Sequence, residues 1–407
     1  MTPREEAGAP TGTGLRRVTD LGPEDFARAW GREPRHVPAA ALGSDFVDLL
    51  DTPAVDDLLS RRGLRTPFLR VAREGQTLAD AEFTRGGGVG AGVADQLDDT
   101  ALLRLFAEGH TLVLQGLHRT HPPVLDFAQD LAADLGHPVQ VNAYVTPPQS
   151  RGFAAHYDVH DVFVLQCGGE KTWRLHPPVL EHPLRTQPWQ DRRAPVEQAA
   201  QEQPHLLVTL RPGDVLYVPR GWLHAAEALG GVSTHLTVGV HVWHRGHLAE
   251  AVLDAARRGV AALAEARTPL RPGVDVADPD DLVDDLAVVR AALLDAVAAV
   301  DEAAVAAQLA RRQRAAQRPA PVAPVATTEA LAGEPVVVPR EHLRAALEPD
   351  GEGAVLVSRA GRLPLDASEA DAVTTWLAAE EPARLDPALA RRLVVAGVAV
   401  PLTAPPA

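Results

Sequence analysis

Two histidines and one aspartate stand at a spacing that suits metal coordination. His156 and Asp158 are two residues apart in the segment Phe153-Ala-Ala-His156-Tyr157-Asp158. Side chains two apart on an extended strand share a face, so both can point into a barrel interior. His160 lies on the same face by this count and is an alternative ligand, unless a turn or bulge after Asp158 removes it. A metal site here needs one more ligand from elsewhere in the chain.

That ligand is predicted to be His224. It follows the Pro212-Gly213 pair, the apolar run Val215-Leu216-Tyr217-Val218 and a second turn at Pro219-Arg220-Gly221. Proline presets the first central φ of a type II turn and glycine tolerates the positive second one, so Pro212-Gly213 is expected to begin the strand that leads to His224.

Two histidines and one carboxylate on one side of an ion form the facial triad of non-haem iron(II) oxygenases. Three protein ligands leave adjacent positions for a bidentate cosubstrate and O₂. The positive charge that remains on an iron(II) site with one carboxylate suits an anionic 2-oxo acid. Structural histidines with satisfied hydrogen bonds are the alternative interpretation.

The elements that would hold these residues are short strands between about residues 110 and 243. Turn residues separate β-branched and aromatic runs there, and many short strands at such spacing indicate a barrel or sandwich. The predicted strands are His110–Leu114, Val139–Val145, Val162–Gln166, Thr172–Leu175, Leu206–Leu210, Asp214–Val218 and Val232–Val242.

Four motifs in this region form a recognisable set. They are Asn142-Ala-Tyr144-Val-Thr146-Pro147-Pro148, Gly152-Phe153-Ala-Ala-His156-Tyr157-Asp158, Phe163-Val-Leu-Gln166 and Gly169-Glu-Lys171-Thr-Trp173-Arg174. The set resembles the core of the JmjC-type cupin proteins called ribosomal oxygenases. The resemblance implies an α+β chain: a double-stranded β-helix core of the jelly-roll or cupin type, a helical dimerisation region and a winged-helix-like C-terminal module.

The same resemblance implies an enzyme that uses iron(II), 2-oxoglutarate and O₂ to hydroxylate an arginine or histidine side chain of a ribosomal protein. His156, Asp158 and His224 match the family's catalytic iron ligands. Lys171 matches the residue that binds the distal carboxylate of 2-oxoglutarate, although an exposed lysine on a hairpin is the alternative.

Other positions match the pocket of the same family. Asn142 lies on the cosubstrate side, and Tyr144, Asp161 and Ser233 lie on the substrate side. Asp161 is equally well read as a solvent-exposed carboxylate in a turn. His235 borders the channel by resemblance, but alone it is more typical of a core histidine.

Two other function classes stay open. A related 2-oxoglutarate oxygenase could act on a small molecule or a biosynthetic peptide, because a fold does not determine its substrate. A non-catalytic or zinc-binding cupin would use the same ligands without oxidation.

The chain divides into five predicted segments. Residues 1–18 form a disordered tail, and residues 19–246 form the catalytic domain. Residues 247–312 are helical, with apolar side chains at spacings of three and four that suit a homodimer interface. Residues 313–334 are an Ala- and Pro-rich linker. Residues 335–407 form the winged-helix-like module, beginning with a helix at Arg340–Leu347.

Charge and composition exclude several classes of protein. The 407 residues carry a formal charge of −15, which repels phosphate backbones and favours a basic partner. Residues 336–407 contain seven Arg against ten Asp or Glu, so no direct DNA binding is expected. No apolar run suits a membrane span, and a single cysteine fits a cytoplasmic protein. Lys171 is the one lysine among 39 basic residues.

Overall fold

A computed structural model of the chain describes residues 13–43, 45–73, 75–148, 154–316, 318–333 and 335–402. The chain divides into two compact units, Met1–Val242 and Trp243–Ala407. The second unit takes in the predicted helical region, linker and C-terminal module together. Within the described ranges, no helix combines the length and hydropathy needed to cross a membrane.

The first unit places helices around one large antiparallel sheet. Its helices are α1 (Thr13–Arg16), α2 (Pro23–Ala29), α3 (Ala39–Leu42), α4 (Thr52–Ser60), α5 (Asp99–Ala107), α6 (Leu117–Thr120), α7 (Pro122–Leu135) and α8 (Arg193–Ala199). Its strands are β1 (Arg35–Val37), β2 (Leu69–Arg73), β3 (Gln76–Thr77), β4 (Thr84–Arg85), β5 (Gln96–Leu97), β6 (Thr111–Leu114), β7 (Val139–Thr146), β8 (Asp161–His176), β9 (Leu206–Leu210), β10 (Val215–Val218) and β11 (Leu223–Val240).

Two long strands form the centre of this sheet. The strand order is β1-β10-β8-β11-β7-β6-β2-β3, and β9 pairs with the far end of β8. Apolar side chains from the sheet and from α7 bury each other, with Phe163, Leu165 and Leu131 fully enclosed. The predicted jelly-roll type of core is confirmed, with more helix around it than the strand pattern indicated.

The two central strands are longer than predicted. Val162–Gln166 and Thr172–Leu175 belong to the single strand β8, and the last predicted strand extends back to Leu223. The hairpin considered as the alternative location of Lys171 does not form, because β8 continues through Gly168-Gly169 without turning back. Gly169 has φ +61°, and the pairing of β8 with β11 shifts register between Leu229 and Thr234. A glycine therefore produces a bulge here and not a turn.

The start of the described chain also differs from its prediction. The expected tail over residues 1–18 is wrong for residues 13–18, because Thr13–Arg16 form α1 against α7. Leu15 and Val18 are buried, and the Leu15 backbone N–H donates to Asp134 Oδ2 at 2.8 Å. Residues 1–12 of that prediction lie outside the described residues.

The predicted turn at Pro212-Gly213 is confirmed. The Asp214 N–H donates to the Arg211 carbonyl at 2.9 Å across the two central residues, and Gly213 has φ +91°. The Asp214 carboxylate closes the turn by accepting the N–H groups of Arg211 and Ala39. Strand β10 follows and pairs with β8.

The second unit contains a helical part and a mixed part. Its helices are α9 (Arg245–Ala262), α10 (Val283–Ala298), α11 (Glu302–Ala316), α12 (Pro324–Ala330), α13 (Ala367–Ala379) and α14 (Pro387–Val395). Its strands are β12 (Val337–Pro339), β13 (Ala345–Asp350), β14 (Gly353–Ser358), β15 (Gly361–Leu365) and β16 (Ala399–Pro401). The predicted linker over 313–334 is wrong in part, because α11 enters it and α12 lies within it.

The predicted helix at Arg340–Leu347 is also wrong. Its end lies in β13, which pairs with β14. Leu343, Ala345 and Leu347 pack against the core of the second unit, an alternation with the period of a strand. Leu343 and Leu347 are four residues apart, a spacing that fits both a helix and a strand. The pairing with β14 makes this segment a strand.

Helix α10 has no buried residue in the single chain. Its apolar side chains stay substantially exposed: Leu286 39%, Val289 38%, Leu293 40%, Leu294 72% and Val297 39%. The predicted apolar stripe therefore exists on a helix that packs against α9 but stays substantially exposed among the described residues.

The bulge at Gly169 supports a matched stability test. A Cβ at Gly169 would lie 2.1 Å from the Val232 carbonyl oxygen, whereas one at Gly230 (φ +69°) would meet nothing within 4 Å. Both alanine variants lose about 1 kcal/mol to the positive φ. We expect Gly169→Ala to lose about 1–3 kcal/mol more from overpacking. Urea unfolding of both variants measures this, and equal losses would contradict the bulge geometry.

Candidate metal centre

The three predicted metal ligands meet at one place. One ligand atom each of His156, Asp158 and His224 can be chosen so that all lie within 4.8 Å of one another. His224 Nε2 lies 3.6 Å from Asp158 Oδ2, and the two imidazole ring centroids are 4.5 Å apart. These separations suit ligands that share one ion.

A short antiparallel bridge holds two of the ligands in register. The His156 and His224 backbones exchange N–H···O hydrogen bonds of 3.2 and 2.8 Å. The Asp158 carbonyl accepts the Gly221 N–H at 3.0 Å, which ties the next residues to the same turn. His156 and Asp158 precede β8 and do not lie in a regular strand. The prediction that both ligands sit on one strand face was therefore wrong, although their convergence was correctly predicted.

Hydrogen bonds to the backbone orient both imidazoles. His156 Nδ1 lies 2.7 Å from the Ala154 carbonyl oxygen, and His224 Nδ1 lies 3.1 Å from that of Trp222. A carbonyl accepts, so each Nδ1 carries the proton and each Nε2 presents its lone pair. Such a second hydrogen bond is the usual way a metal-ligating histidine is fixed.

The protonation states also suit a metal. Burial, together with neighbouring His156, lowers the pKa of His224 to about 4. Burial by itself would raise the pKa of Asp158, but the charges of His160, His224 and His156 outweigh it and hold that pKa below its ordinary value. A neutral imidazole and an ionised carboxylate are the forms that coordinate. The donor set fits iron(II).

A cavity of about 660 Å³, including its mouth, opens beside these ligands. It is lined by the three ligands and by Thr111, Tyr144, Val162, Val164, Lys171, Trp173, Val218, Ala225, Ala226, His235 and Thr237. Lys171 is 3% exposed. Its Nζ donates to Thr146 Oγ1 at 3.2 Å, and no carboxylate forms an ion pair with it among the described residues. The exposed-hairpin alternative for Lys171 is wrong.

Burial lowers the pKa of Lys171 to about 7. A buried ammonium without a counter-ion is unstable, and an anion that enters the cavity would remove that instability. The lysine is therefore suited to an anionic ligand beside the metal.

Of the residues predicted to contact cosubstrate or substrate, Tyr144 lines the cavity. Asn142 is on the same face of β7, but its Oδ1 accepts the Gly116 N–H at 2.9 Å. The Ser233 Oγ is buried and accepts from Gln166 Nε2 at 2.9 Å. Neither is among the cavity-lining residues. Their assigned contacts stay predictions.

The Asp161 carboxylate is buried, and its assignment to the substrate side of the pocket stays a prediction. It is 1% exposed, so the exposed-turn alternative is wrong. The Tyr217 hydroxyl donates to Asp161 Oδ2, and the Arg220 N–H donates to Oδ1 at 3.1 Å. With both oxygens bound inside the protein, this carboxylate ties β10 and the turn after it to the start of β8.

His160 is not part of the ligand cluster. Its Nδ1 lies 3.3 Å from the Asp161 carbonyl oxygen, and its ring packs edge-on against His241 with centroids 5.6 Å apart. The chain turns after Asp158, which removes His160 from the ligand face as one alternative anticipated.

Trp173 and His235 also line the cavity. Trp173 was not among the predicted site residues, whereas the resemblance placed His235 at the border of the channel. Trp173 is two residues beyond Lys171 on β8, so strand parity with Lys171 was a usable signal. His235 pairs with Tyr144, but this pairing depends on the register of β7 and β11, which the sequence does not show.

Comparison with known proteins agrees with the fold. Residues 123–248 match the model of the JmjC domain family. The resemblance to ribosomal oxygenases is confirmed by relatives. Ribosomal oxygenase 1 of Bos taurus is 31% identical over 283 residues, covering 66% of this chain and 38% of that protein. The bifunctional lysine-specific demethylase and histidyl-hydroxylase NO66 of Drosophila persimilis is 39% identical over 104 residues, covering 25% of this chain and 14% of that protein.

A solved structure extends the likeness in fold to both units. Ribosomal oxygenase YcfD from Escherichia coli, in complex with cobalt and 2-oxoglutarate, has 18% identity and a TM-score of 0.53. The alignment covers 94% of this chain and 98% of that one. The chain thus spans well under half the length of the curated relatives above, but nearly the whole of this bacterial structure.

The ligand assignment predicts which histidines a metal needs. We expect His156→Ala and His224→Ala each to abolish stoichiometric Co²⁺ binding in calorimetry, because two remaining ligands hold an ion poorly. His160→Ala is the matched control and should bind one Co²⁺ with unchanged stoichiometry. Loss of binding in the control together with retention in the other two would reverse the assignment.

Proposed function

We propose that this protein is an iron(II)- and 2-oxoglutarate-dependent oxygenase that hydroxylates an arginine or histidine side chain of a ribosomal protein. The observation that carries the proposal is the convergence of His156, Asp158 and His224 beside a buried lysine in one cavity. A facial set of two imidazoles and a carboxylate is typical of non-haem iron(II) oxygenases.

The cosubstrate is inferred from charge. A 2-oxo acid that chelates the metal needs a second anchor, and the Lys171 ammonium offers one in the same cavity. The YcfD structure with cobalt and 2-oxoglutarate supports this pairing of a metal with a 2-oxo dicarboxylate in a protein of the same fold.

In this reaction the protein's own side chains bind the ion, orient the cosubstrate and exclude water. When bound, iron(II) with 2-oxoglutarate and O₂ supplies the oxidising chemistry that amino-acid side chains lack. His156, Asp158 and His224 hold the ion in place, and Lys171 orients the cosubstrate. Val162, Val164 and Val218 line the wall with apolar groups. They exclude water from the reacting centre.

The substrate class rests on relatives and on charge. Both curated relatives act, by name, in ribosomal oxygenation or histidyl hydroxylation. A chain of net charge −15 attracts basic polypeptides, and ribosomal proteins are basic. A ribosomal substrate and a single cysteine both suit action in the cytoplasm.

The direct test joins two measurements. Purified protein with Fe²⁺, 2-oxoglutarate and ribosomal proteins should form succinate and add one oxygen atom to one ribosomal protein, as read by mass spectrometry. The Asp158→Ala variant is the control and should do neither. Succinate without a modified ribosomal protein would favour a small-molecule or other peptide substrate. Absence of succinate would favour a non-catalytic or zinc-binding cupin, and loss of a methyl group from lysine would indicate demethylation.

The buried lysine predicts a pH dependence of cosubstrate binding. A carboxylate binds the protonated amine, whose fraction falls about tenfold per pH unit above a pKa of about 7. The affinity for 2-oxoglutarate should therefore fall by up to that factor per unit between about pH 7 and about pH 9, and level off below about pH 6. Calorimetry on the metal-loaded protein measures it.

Lys171→Arg is the control for this titration, because guanidinium stays charged throughout that range. Its affinity should be independent of pH after correction for the metal. An equal pH dependence in both proteins would assign the titration to another group.

We also propose that residues 247–312 form a homodimer interface and that residues 335–407 form a winged-helix-like module. The exposed apolar side chains of α10 support the first proposal. For the module, seven Arg against ten acidic residues favour a structural or protein-docking role over DNA binding.

The interface predicts a change of oligomeric state. Leu286→Glu with Leu293→Glu should give monomers in analytical ultracentrifugation, because charges would be buried without partners. Val288, 52% exposed, lies about 200° around the helix from Leu286 at 3.6 residues per turn. Val288→Glu should leave the dimer intact. A dimer in the double variant, or a monomeric wild type, would contradict the proposal.

A further inference from the structure

His235 is a buried histidine in the wall of the cavity. It is 2% exposed, lies on β11 and pairs with Tyr144 of β7. The two rings stack with centroids 5.1 Å apart and planes 5° from parallel. Trp173 packs edge-on at 5.5 Å from the other neighbouring strand. Packing on both sides holds the imidazole in one orientation.

The hydrogen bonds of His235 are incomplete. Among the described residues, its enclosed Nδ1 has no partner, and none accepts a hydrogen bond from its Nε2. Burial and the charge of Lys171 hold the pKa of His235 well below its ordinary value, so the ring is neutral. A neutral imidazole carries one N–H. Since an enclosed N–H without an acceptor is costly, the proton belongs on Nε2, the nitrogen left to face the cavity.

Lys171 brings a positive charge to the same place. It starts from β8 and hydrogen-bonds Thr146 on β7, and β11 lies between those two strands. Its side chain therefore crosses over β11, the strand that carries His235. Thr146 is two residues from Tyr144 on the same face of β7, and Tyr144 is the stacking partner of His235.

The part of the cavity wall around Lys171 and His235 has more hydrogen-bond donors than acceptors. The ammonium of Lys171 donates only, and so does the indole N–H of Trp173, which has no partner among the described residues. Adding the His235 Nε2–H gives three donor groups from adjacent strands. Such a wall suits an anion with several acceptor oxygens and disfavours a cation.

We propose that His235 is a second cosubstrate-binding residue, whose Nε2–H donates to the same distal carboxylate that Lys171 binds. This inference rests on the proposed function and adds the residue that selects a 2-oxo dicarboxylate over a 2-oxo monocarboxylate. Lys171 supplies charge, and the fixed imidazole supplies a directed hydrogen bond that a monocarboxylate cannot accept.

The test compares two 2-oxo acids on Zn²⁺-loaded protein, where binding is measured without turnover. The ligands are 2-oxoglutarate and 2-oxopentanoate, in which a methyl group replaces the distal carboxylate. His235→Leu should weaken 2-oxoglutarate binding about 10- to 100-fold, the value of a hydrogen bond to a charged group, and change 2-oxopentanoate binding little. His235→Gln, which keeps an N–H donor, should recover part of the loss.

His176→Leu is the matched control. His176 is 5% exposed on β8 and does not line the cavity, and its enclosed Nδ1 also has no partner in the described parts of the chain. The His176→Leu variant should bind both acids as the wild type does. Zn²⁺ stoichiometry should be unchanged in every variant, since none removes a metal ligand.

The outcomes separate this inference from the proposed function. If the wild type binds Zn²⁺ but no 2-oxoglutarate, the proposed function fails, and this inference fails with it. If the wild type binds 2-oxoglutarate and His235→Leu keeps both affinities, this inference alone is overturned.

A second measurement covers a variant that does not fold. In wild-type protein with ¹⁵N-labelled histidine, 2-oxoglutarate should shift the His235 Nε2 resonance and 2-oxopentanoate should not. Equal shifts with both acids would overturn the role of the imidazole.

Discussion

The paired backbone hydrogen bonds between His156 and His224 are the constraint on which the site depends. One residue precedes the long strand β8 and the other begins β11, so neither element by itself fixes a distance between the imidazoles. The bridge does so through N–H···O contacts of 3.2 and 2.8 Å. The adjacent hydrogen bond from Gly221 to the Asp158 carbonyl brings the third ligand to the same point. Carbonyl oxygens then set the tautomer of each imidazole, and three ligands result from local backbone contacts.

The second feature of the site is an unbalanced charge. Folding buries Lys171 in a cavity where a single threonine hydroxyl is its partner among the described residues. Desolvation costs stability that a bound anion can restore, so the fold carries a site already arranged for a negatively charged ligand. The bulge at Gly169 stands two residues before Lys171 on β8, at the point where β8 and β11 change register. The β-bulge and the lysine proposed to bind the cosubstrate therefore lie two residues apart on the same strand.

The same region shows why resemblance transfers some residues and not others. Metal ligands are constrained by coordination, so their residue types and order along the chain were enough to find them. Asn142, Ser233 and Asp161 are constrained by hydrogen bonds to partners from distant segments, namely Gly116, Gln166 and Tyr217. Periodicity in the sequence does not predict which distant residues will be these hydrogen-bond partners. By strand parity His160 shares a face with His156. The change in chain direction after Asp158 takes His160 off that face.

The sequence alone determined the metal-binding residue types, a core of many short strands, the turn at Pro212-Gly213 and the apolar stripe of α10. Each depends on neighbours within a few residues, through strand or helix period, turn preference or ligand chemistry. The tertiary structure decided that Gly168-Gly169 continues a strand, that residues 345–350 form a strand and no helix, and that Asp161 is internal. It also decided that His235 faces the cavity beside Lys171. These features depend on which strands pair and in what register, and pairing energy is shared between segments that are far apart in the chain.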